Sequence, residues 1–499
     1  MAIPKFLIQL FASFQSRKIR KMAGNAVRDQ QEIFSYLISK ARATSFGKDH
    51  DFGSIKDHKD FCRKVPVRGY EEIKHYIENI IQGEKDVLWP GIPRYFAKTS
   101  GTTSGVKYIP ISKESIGFHI RTARNAILNY VAETKADIFS RKMIFLSGSP
   151  TLGKTGGIFT GRLSGIVNHE VPAWVRPNQL PSYKTNCVED WEDKLELIVE
   201  ETIDQDMSLI SGIPPWVQMY YEQLIRKSGK STIKELFPNL RLFIHGGVNY
   251  QPYKAILDAF HGEGVDTLET YPASEGFIAF QDDQHDDGLL LNTNAGMFYE
   301  FVEPKFINDE DPPRLTLAEV KTGVDYAIVV SSNAGLWAYN IGDTIRFTSL
   351  DPYKIRVSGR IKHFISAFGE HVISKEVEEA MDLASRKFEL KVTEFTVAPH
   401  IHPEGEALPH HEWFVEFDRI PENLTEIESF LDSEMCRQNI YYKDLIEGQI
   451  LRKLKITPLQ RDAFRNYMKS LGKLGGQNKV PRLTNDRKIA DALDKYKHR

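Results

Sequence analysis

Strand-like and helix-like segments alternate before residue 289, and this alternation is the feature that most constrains the fold. Apolar, β-prone runs at residues 142–146, 240–245 and 266–271 are separated by helical stretches at residues 191–204 and 252–260. Strands that alternate with helices are typical of layered α/β folds, because the helices cover the faces of the sheet that the strands build. We therefore predict an α/β architecture for this part of the chain.

The pattern changes twice in the second half of the chain. Short β-like runs dominate first and predict a β-rich subdomain, at residues 298–302, 315–320, 326–330, 345–348 and 354–358. Helices and strands mix again after Gly359, with helices predicted at 374–384 and 424–438 and strands at 394–398 and 412–417. We expect a large N-terminal α/β domain over residues 1–358, a hinge near 358–362, and a smaller, mobile α+β domain over residues 359–499.

A loop rich in glycine and hydroxyl side chains is the strongest candidate for a binding site. Strand-like runs flank it at residues 94–97 and 106–111, which predicts a hairpin. Glycines let backbone N–H groups turn toward an anion, while hydroxyl and ammonium groups add donors and charge. The alternative is a plain surface turn, but lysines on both shoulders favour phosphate binding. The candidate residues are Lys98, Thr99, Ser100, Gly101, Thr102, Thr103, Ser104, Gly105 and Lys107.

Residues 148–155 match the spacing of a Walker A motif but not its context. A P-loop needs a helix that begins at the Lys-Thr pair, so that the N-terminal N–H groups of that helix face the phosphates. Here Gly156 and Gly157 follow Lys154 and Thr155 directly. We predict an ordinary loop close to the site, without P-loop chemistry.

Composition favours a globular protein that acts on small molecules. The 499 residues are 41% hydrophobic, and 65 basic residues nearly balance 67 acidic ones, so net charge does not favour nucleic acid or anionic lipid. Three widely separated cysteines suit a reducing compartment and predict inert core thiols, in a cytoplasmic protein of open oligomeric state. Near the amino terminus, Leu7, Leu10, Phe11 and Phe14 recur at helical spacing before a basic cluster. This spacing predicts an amphipathic helix docked on the body, with transient membrane contact as the alternative.

Two later segments place polar residues directly against predicted strands. In residues 268–277, Tyr271 can stack on a planar base and Glu275 can hold a hard cation, although a core tyrosine and a turn cap explain them equally. In residues 337–346, Asp343 follows Gly342 and can accept hydrogen bonds from a ribose diol, although it also suits an ordinary turn. The order of the three segments carries more weight than any one of them.

Taken together, residues 99–105, 271–275 and 339–343 resemble the three nucleotide motifs of the Gretchen Hagen 3 acyl acid amido synthetases, which belong to the adenylate-forming superfamily. The resemblance covers nearly the whole chain. It implies an enzyme that activates a carboxylic acid with ATP and Mg²⁺, releases pyrophosphate, and transfers the acyl group to an amino acid or other amine with release of AMP. Residues 364–370, Pro272 and Gly276 depart from the plant pattern and favour a bacterial-type member.

The resemblance also implies roles for individual residues. Thr99, Ser100, Gly101, Thr102 and Thr103 would contact phosphate. Thr270, Tyr271 and Ser274 would contact the nucleoside, Asp343 and Arg360 the ribose, and Glu275 the Mg²⁺. Lys362 matches a hinge lysine, and Lys479 matches a late lysine that the mobile domain brings to the phosphates. Arg121 and Arg124, in a predicted helix at 115–131, are candidates for the carboxylate of the acid.

Some alternatives stay open on the sequence. The acyl adenylate could pass to a thiol such as coenzyme A, or the protein could bind a nucleotide without turnover. Neither the acid nor the amine can be read from the residues. His400, His402, His410 and His411 crowd one predicted hairpin, but their spacing does not predict a metal site.

Overall fold

The structure, a computed structural model, describes residues 5–102, 105–248, 250–360, 364–365, 367–370, 372–403, 408–471 and 480–498, with the main chain alone at 100–102, 105, 251–252, 360, 364 and 375. The chain divides into two compact units. The larger comprises residues 1–99, 107–188 and 194–361, and the smaller comprises residues 100–106, 189–193 and 362–499.

Twelve of the described α-helices precede residue 289; five come before the first strand, and the other seven lie between strands, in the predicted alternation. The twelve are α1 Lys5–Ala23, α2 Ala26–Ala41, α3 Ser45–Asp49, α4 His58–Lys64, α5 Tyr70–Ile81, α6 Lys113–Thr134, α7 Leu163–His169, α8 Tyr183–Asn186, α9 Trp191–Thr202, α10 Pro214–Ser228, α11 Ile233–Leu236 and α12 Gln251–His261. None of the helices in the described ranges has the length and apolar character that crossing a bilayer requires.

Two sheets organise the strands before residue 361. The strands are β1 Tyr95–Thr102, β2 Gly105–Ile111, β3 Lys142–Phe145, β4 Gly153–Thr155, β5 Ile158–Gly161, β6 Gln179–Leu180, β7 Met207–Ser211, β8 Leu242–Gly246, β9 Asp266–Ala273, β10 Gly276–Gln281, β11 Leu289–Leu291, β12 Met297–Val302, β13 Asp325–Ser332, β14 Tyr339–Leu350 and β15 Tyr353–Arg360. One sheet has four strands in the order β2-β1-β5-β4. The other has eleven, in the order β12-β13-β14-β15-β11-β10-β9-β8-β7-β3-β6.

The eleven-stranded sheet is parallel at one end and antiparallel at the other. Neighbouring strands are parallel along the series β6, β3, β7, β8 and β9. The sheet continues from β9 through β10, β11, β15, β14 and β13 to β12, and each of these pairs is antiparallel. The predicted β-rich segment is therefore the antiparallel half of the same sheet, and β9 joins the two halves. The predicted strand at residues 315–320 is wrong, because Leu315 forms only an isolated bridge to Phe301 before the chain turns.

The core around the antiparallel half contains a cluster of aromatic rings. Trp337 is fully buried, and its ring packs against Phe46, Phe52 and Trp89 at centroid separations of 5.9, 4.8 and 6.2 Å. The indole N–H of Trp337 donates a hydrogen bond to the carbonyl oxygen of Leu88, which satisfies the polar edge of this ring inside the core. Residue 337 therefore anchors the start of β14, the strand that carries Asp343.

The smaller unit mixes helices and strands, as the sequence predicts. Its elements after residue 361 are β16 Phe364–Ile365, β17 Val372–Ile373, α13 Ser374–Lys387, β18 Val392–His400, β19 His410–Phe417, α14 Leu424–Gln438, α15 Ile440–Glu447, β20 Lys455–Leu459, α16 Ala463–Ser470 and α17 Lys488–Leu493. Strands β18, β19 and β20 form a three-stranded sheet, with β18 antiparallel and β20 parallel to β19.

The amino-terminal helix forms where the sequence predicts it, but the opposite face packs on the body. Ala12, Gln15, Ser16, Ile19 and Met22 are buried. Of these, Ala12, Ile19 and Met22 belong to a core cluster that also contains residues of α6. The residues from which docking was predicted, Leu7, Leu10, Phe11 and Phe14, are exposed. The apolar spacing therefore predicts the helix correctly, but its prediction of which side of the helix is buried is wrong.

Candidate nucleotide site

Strand β9 carries two of the predicted nucleoside residues where the parallel and antiparallel halves of the sheet meet. Thr270 pairs with Gly246 of β8 on one side and with Phe280 of β10 on the other. The hydroxyl of Thr270 donates a hydrogen bond to the carbonyl oxygen of His245 at 3.0 Å. These contacts fix the backbone at residue 270, next to Tyr271.

Tyr271 contacts the predicted ribose residue directly. The phenol oxygen of Tyr271 donates a hydrogen bond to Oδ2 of Asp343 at 2.5 Å, and both side chains are buried. Strands β9 and β14 are four steps apart in the sheet, which would separate them by about 19 Å if the sheet were flat. The antiparallel half must therefore curl strongly enough to bring the second and third sequence motifs together.

Asp343 is oriented by the backbone that precedes it. Gly342 has φ +88°, in the left-handed region that favours glycine, and its N–H donates to Oδ1 of Asn340 at 2.9 Å. In the pairing of β14 with β15, Asp343 lies opposite Arg360. The main chain thus places the predicted ribose aspartate and the predicted ribose arginine at one register position.

Ser274 and Glu275 form the turn between β9 and β10, and both side chains are partly buried. Magnesium in nucleotide sites is commonly held by one or two carboxylates together with substrate phosphates. A partly accessible carboxylate on a tight turn, four residues after Tyr271, fits that donor set. Glu275 is therefore a suitable ligand for the Mg²⁺ that the sequence predicts.

The predicted hairpin around the phosphate loop is confirmed at its strands. β1 and β2 are neighbours in the four-stranded sheet, and Thr99 lies on β1 with a partly buried side chain. Ser100, Gly101 and Thr102 continue β1. Thr103, together with Ser104 at the tip, lies outside the described residues.

The two predicted lysines also lie outside the described residues, at positions 362 and 479. Lys362 and Lys479 therefore keep the roles that the sequence resemblance implies, as predictions. At Arg360 the structure gives the strand and its register but not the side chain.

Arg121 and Arg124 lie on α6 and leave the acid-binding prediction open. The guanidinium of Arg121 donates to the carbonyl oxygen of Asn294 at 3.2 Å and lies 4.2 Å from the ring centroid of Phe118. The guanidinium of Arg124 lies 5.9 Å from the ring of Phe11. Among the described residues neither arginine forms an ion pair with a carboxylate, so both retain charge that an anionic ligand could meet.

The sequence interpretation missed a segment beside Thr270. Gly246 at the end of β8 comes so close to Thr270 that an added Cβ would lie 2.2 Å from the carbonyl oxygen of residue 270. The ring of His245 stacks on Tyr250 at a centroid distance of 3.9 Å, and burial lowers the pKa of His245 to about 3. A neutral stacked pair, His245 and Tyr250, thus borders β9. In the sequence, this segment could have been recognised from the His-Gly-Gly at residues 245–247, directly after a strand-like run.

The residues that match the Walker A spacing do not form a P-loop, as their sequence context predicts. Residues 153–155 form β4, which pairs antiparallel with β5, and the next helix, α7, begins only at Leu163. No helix therefore starts at Lys154 and Thr155.

The histidine-rich hairpin has a structural explanation. Nε2 of His411 lies 2.8 Å from Oε1 of Glu370, with both side chains buried, and Arg452 contacts the ring of His410. In the part of the chain that the structure describes, these histidines form no group of three metal ligands. The cysteines are free, as predicted, but partly buried rather than core residues.

A cleft of about 750 Å³ lies away from the predicted nucleotide residues. Its walls include Ser16 and Arg17 of α1, Asn129 of α6, and Asp282 and Asp283 after β10. None of the predicted phosphate, nucleoside or ribose residues lines it. This cleft therefore does not coincide with the predicted nucleotide site.

Known proteins match this chain over nearly their full length. Indole-3-acetic acid-amido synthetase GH3.4 of Arabidopsis thaliana is 21% identical, with 95% of this chain and 92% of the relative aligned. Jasmonoyl-L-amino acid synthetase JAR6 of Nicotiana attenuata is 22% identical, with 92% and 91% aligned. The solved structure of AtGH3.15 acyl acid amido synthetase in complex with 2,4-DB superposes with a TM-score of 0.62 at 17% identity, covering 97% of this chain and 96% of that chain. At these identities the structural likeness shows a common fold.

Three family models match successive parts of the chain. The GH3 family N-terminal domain matches residues 15–172, the central domain residues 290–360, and the C-terminal domain residues 375–488. The matches together cover more than half of the chain and occur in the order of the family. The chain belongs to the GH3 family.

Proposed function

We propose that this protein is an ATP-dependent acyl acid amido synthetase. In the first step the carboxylate of a small organic acid attacks the α-phosphorus of ATP, forming an acyl adenylate and releasing pyrophosphate. In the second step the amino group of an amino acid or another amine attacks the acyl carbon, forming an amide and releasing AMP. A free carboxylate is a poor acyl donor because its leaving group would be oxide, and adenylation replaces oxide with a stabilised phosphate.

The observation that carries this proposal is the hydrogen bond between Tyr271 and Asp343. It joins the nucleoside motif to the ribose motif, and the register places Arg360 opposite the same aspartate. We assign Asp343 to accept hydrogen bonds from the ribose hydroxyls and Tyr271 to orient that carboxyl group. Thr99 and its neighbours in β1 would bind phosphate through hydroxyl and N–H donors.

Charge builds up on the phosphates in the first step, so preorganised donors there contribute most to catalysis. Glu275 would hold the Mg²⁺ that neutralises part of this charge when ATP is bound. Lys479 would add a positive charge, and Lys362 would act at the hinge between half-reactions. Arg121 and Arg124 would meet the carboxylate of the acid. We further propose that the enzyme works in the cytoplasm, where free thiols such as its three cysteines persist.

Acid-dependent exchange of labelled pyrophosphate into ATP tests the proposal, using a broad panel of carboxylic acids with the full chain. We expect exchange with at least one acid, and amide products by mass spectrometry when amino acids are added. Thioester products with coenzyme A instead of amides would indicate a thiol acceptor, and no exchange with any acid would overturn the proposal.

A matched pair of variants links the activity to the site. Asp343→Asn should reduce exchange by roughly 10² or more, because the buried carboxyl group is proposed to hold the ribose. Asp325→Asn is the control, since Asp325 lies in the same sheet but pairs with Arg346 in an exposed position. Equal activity of the two variants would contradict the assignment of Asp343.

A further inference from the structure

Helix α1 exposes a continuous set of large apolar side chains. Phe6, Leu7, Leu10, Phe11 and Phe14 are 61%, 44%, 63%, 43% and 52% exposed. These five are a third of the fifteen large apolar side chains exposed in the described residues, yet they lie within nine positions. Single exposed apolar residues are ordinary, whereas a contiguous patch marks an interaction surface.

Helical geometry places basic side chains on the same side of α1. At about 100° per residue, Arg17, Lys18 and Lys21 fall within the arc that the five apolar residues occupy. These three residues are exposed as well, and the ammonium of Lys18 lies 4.4 Å from the ring centroid of Phe14. The exposed side is therefore apolar over its first half and cationic over its second half. We call these eight residues the α1 face.

The opposite side of α1 is occupied by the body of the larger unit. Ala12, Ile19 and Met22 pack with Ala126 and Tyr130 of α6 in one core cluster. The side-chain amide of Gln9 also donates a hydrogen bond to the carbonyl oxygen of Lys135. The helix is thus held in place by one side, and turning the apolar residues inward would expose this core.

We propose that the α1 face docks the protein onto an anionic lipid surface. Helices that lie in the membrane interface combine large apolar side chains on one side with Lys and Arg beside them, which is the arrangement here. Anionic headgroups attract basic residues near the surface, and the apolar side chains can then enter the boundary between headgroups and acyl chains. Helix α1 contains no acidic residue that would oppose this attraction.

Charge argues against a second copy of this chain as the occupant. If two α1 faces packed in parallel, Arg17, Lys18 and Lys21 of both copies would be brought together. If they packed antiparallel, the cations of each would lie against the phenylalanine and leucine side chains of the other. Either arrangement removes cations from water, and α1 offers no carboxylate to pair with them, which is costly. A surface of negative headgroups satisfies both halves of the face.

Co-sedimentation of the full-length protein with vesicles tests the proposal. Vesicles of phosphatidylcholine alone are compared with vesicles that also contain phosphatidylglycerol, at low and high salt. We expect binding to the anionic vesicles only, weakened by salt. The double variant Leu10→Ser/Phe14→Ser should weaken binding roughly tenfold or more, and Lys18→Glu/Lys21→Glu should abolish the preference for anionic lipid.

Leu197→Ser provides the control, since Leu197 is a 38% exposed leucine of the larger unit, on α9. This variant should bind vesicles as the unchanged protein does. Circular dichroism and the thermal midpoint of each variant establish that the fold is retained. Vesicle binding that the α1 substitutions do not change, or no binding at all, would overturn the proposal. The proposal would also be overturned if sedimentation velocity detected a concentration-dependent dimer that is lost in the Leu10→Ser/Phe14→Ser variant.

Discussion

The phenol oxygen of Tyr271 lies 2.5 Å from Oδ2 of Asp343, although their strands are four steps apart in one sheet. The contact holds two distant sequence motifs in a fixed relation, and both residues are buried. It also gives the carboxyl group of Asp343 one donor from the protein, which restricts its orientation. The geometry of the proposed ribose site therefore depends on the curl of the antiparallel strands.

Tyr271→Phe removes this donor while keeping the aromatic ring. A hydrogen bond to a carboxylate contributes about 1.5–3 kcal/mol, so we expect the rate of acid-dependent pyrophosphate exchange to fall by roughly 10- to 100-fold. The measurement is the exchange rate as a function of ATP concentration. Tyr326→Phe is the control, because the Tyr326 hydroxyl accepts a bond from the N–H of Lys321 away from the site. Similar losses in both variants would indicate a general effect on folding.

Gly342→Ala tests whether the backbone before Asp343 matters to the site. Gly342 has φ +88° with open space around an added Cβ, so the cost is conformational, about 1–2 kcal/mol. Gly323 has φ +77° with equally open surroundings, and Gly323→Ala should be destabilised by a similar amount. Thermal unfolding should show comparable losses, while ATP-dependent exchange should fall only in Gly342→Ala. A retained exchange rate in that variant would mean that Asp343 is oriented by other contacts.

Much of the fold follows from local patterns in the sequence. The helix α14 and the strands β8, β9, β18 and β19 lie within a few residues of their predictions, because periodicity and β-propensity act locally. The bond between Tyr271 and Asp343 could not be derived in this way. It depends on the curl of the sheet, which arises from strand pairings distant in sequence.

The side of α1 that packs on the body shows a second limit. Its apolar spacing predicts a helix, but the buried side contains small and polar residues such as Ala12, Gln15 and Ser16. Close packing of α1 on α6 uses small side chains, so the more hydrophobic side remains exposed. Sequence periodicity identifies an apolar side and cannot say which partner covers it.

Lys479→Ala tests a role that the sequence resemblance implies. Loss of one preorganised cation at the phosphates should reduce adenylation by roughly 10² to 10³. Lys488→Ala is the matched control, because Lys488 is 88% exposed at the start of α17. Release of pyrophosphate with a saturating acid is the measurement. Unchanged release in Lys479→Ala would exclude this lysine from the first half-reaction.

A buried ionic cluster in the larger unit predicts a pH-dependent stability. Glu300 is fully buried, accepts two hydrogen bonds from the guanidinium of Arg314, and lies 2.7 Å from Nε2 of His58. Burial alone would lower the pKa of His58, but its contacts with Cys62 and Glu300 outweigh burial and raise that pKa to about 9. The folded state therefore holds a proton on His58 more tightly than the unfolded chain does.

The contribution of His58 should be complete below pH 6.5 and should disappear as the pH rises through about 9. Its size is on the order of 3 kcal/mol. His58→Gln should therefore reduce the free energy of unfolding near pH 6 and have little effect above pH 9, as measured by urea denaturation. His75→Gln, at an exposed position on α5, should show no such dependence. A constant difference between His58→Gln and the unchanged protein at every pH would contradict the pKa assignment.

Lys194 predicts the opposite dependence on pH. Its ammonium is buried and donates hydrogen bonds to the carbonyl oxygens of Ser147 and Asn186 at 3.0 and 2.8 Å. Burial lowers the pKa of Lys194 from 10.5 to about 8, so between these values the unfolded chain binds more protons than the folded state. Stability should therefore rise with pH over this window.

Lys194→Met should remove that rise, because the variant has no proton to lose at this position. Lys230→Met, at an exposed position after α10, should retain it. The measurement is the free energy of unfolding from pH 8 to 10.5 for all three proteins, compared as differences so that other titrating groups cancel. Since Lys194 holds the carbonyl of Ser147, which precedes the Walker-like loop, the same variant should also increase hydrogen exchange at residues 148–152. An unchanged exchange pattern together with an unchanged pH slope would mean that folding does not lower the pKa of Lys194 and that its ammonium does not hold the carbonyl of Ser147.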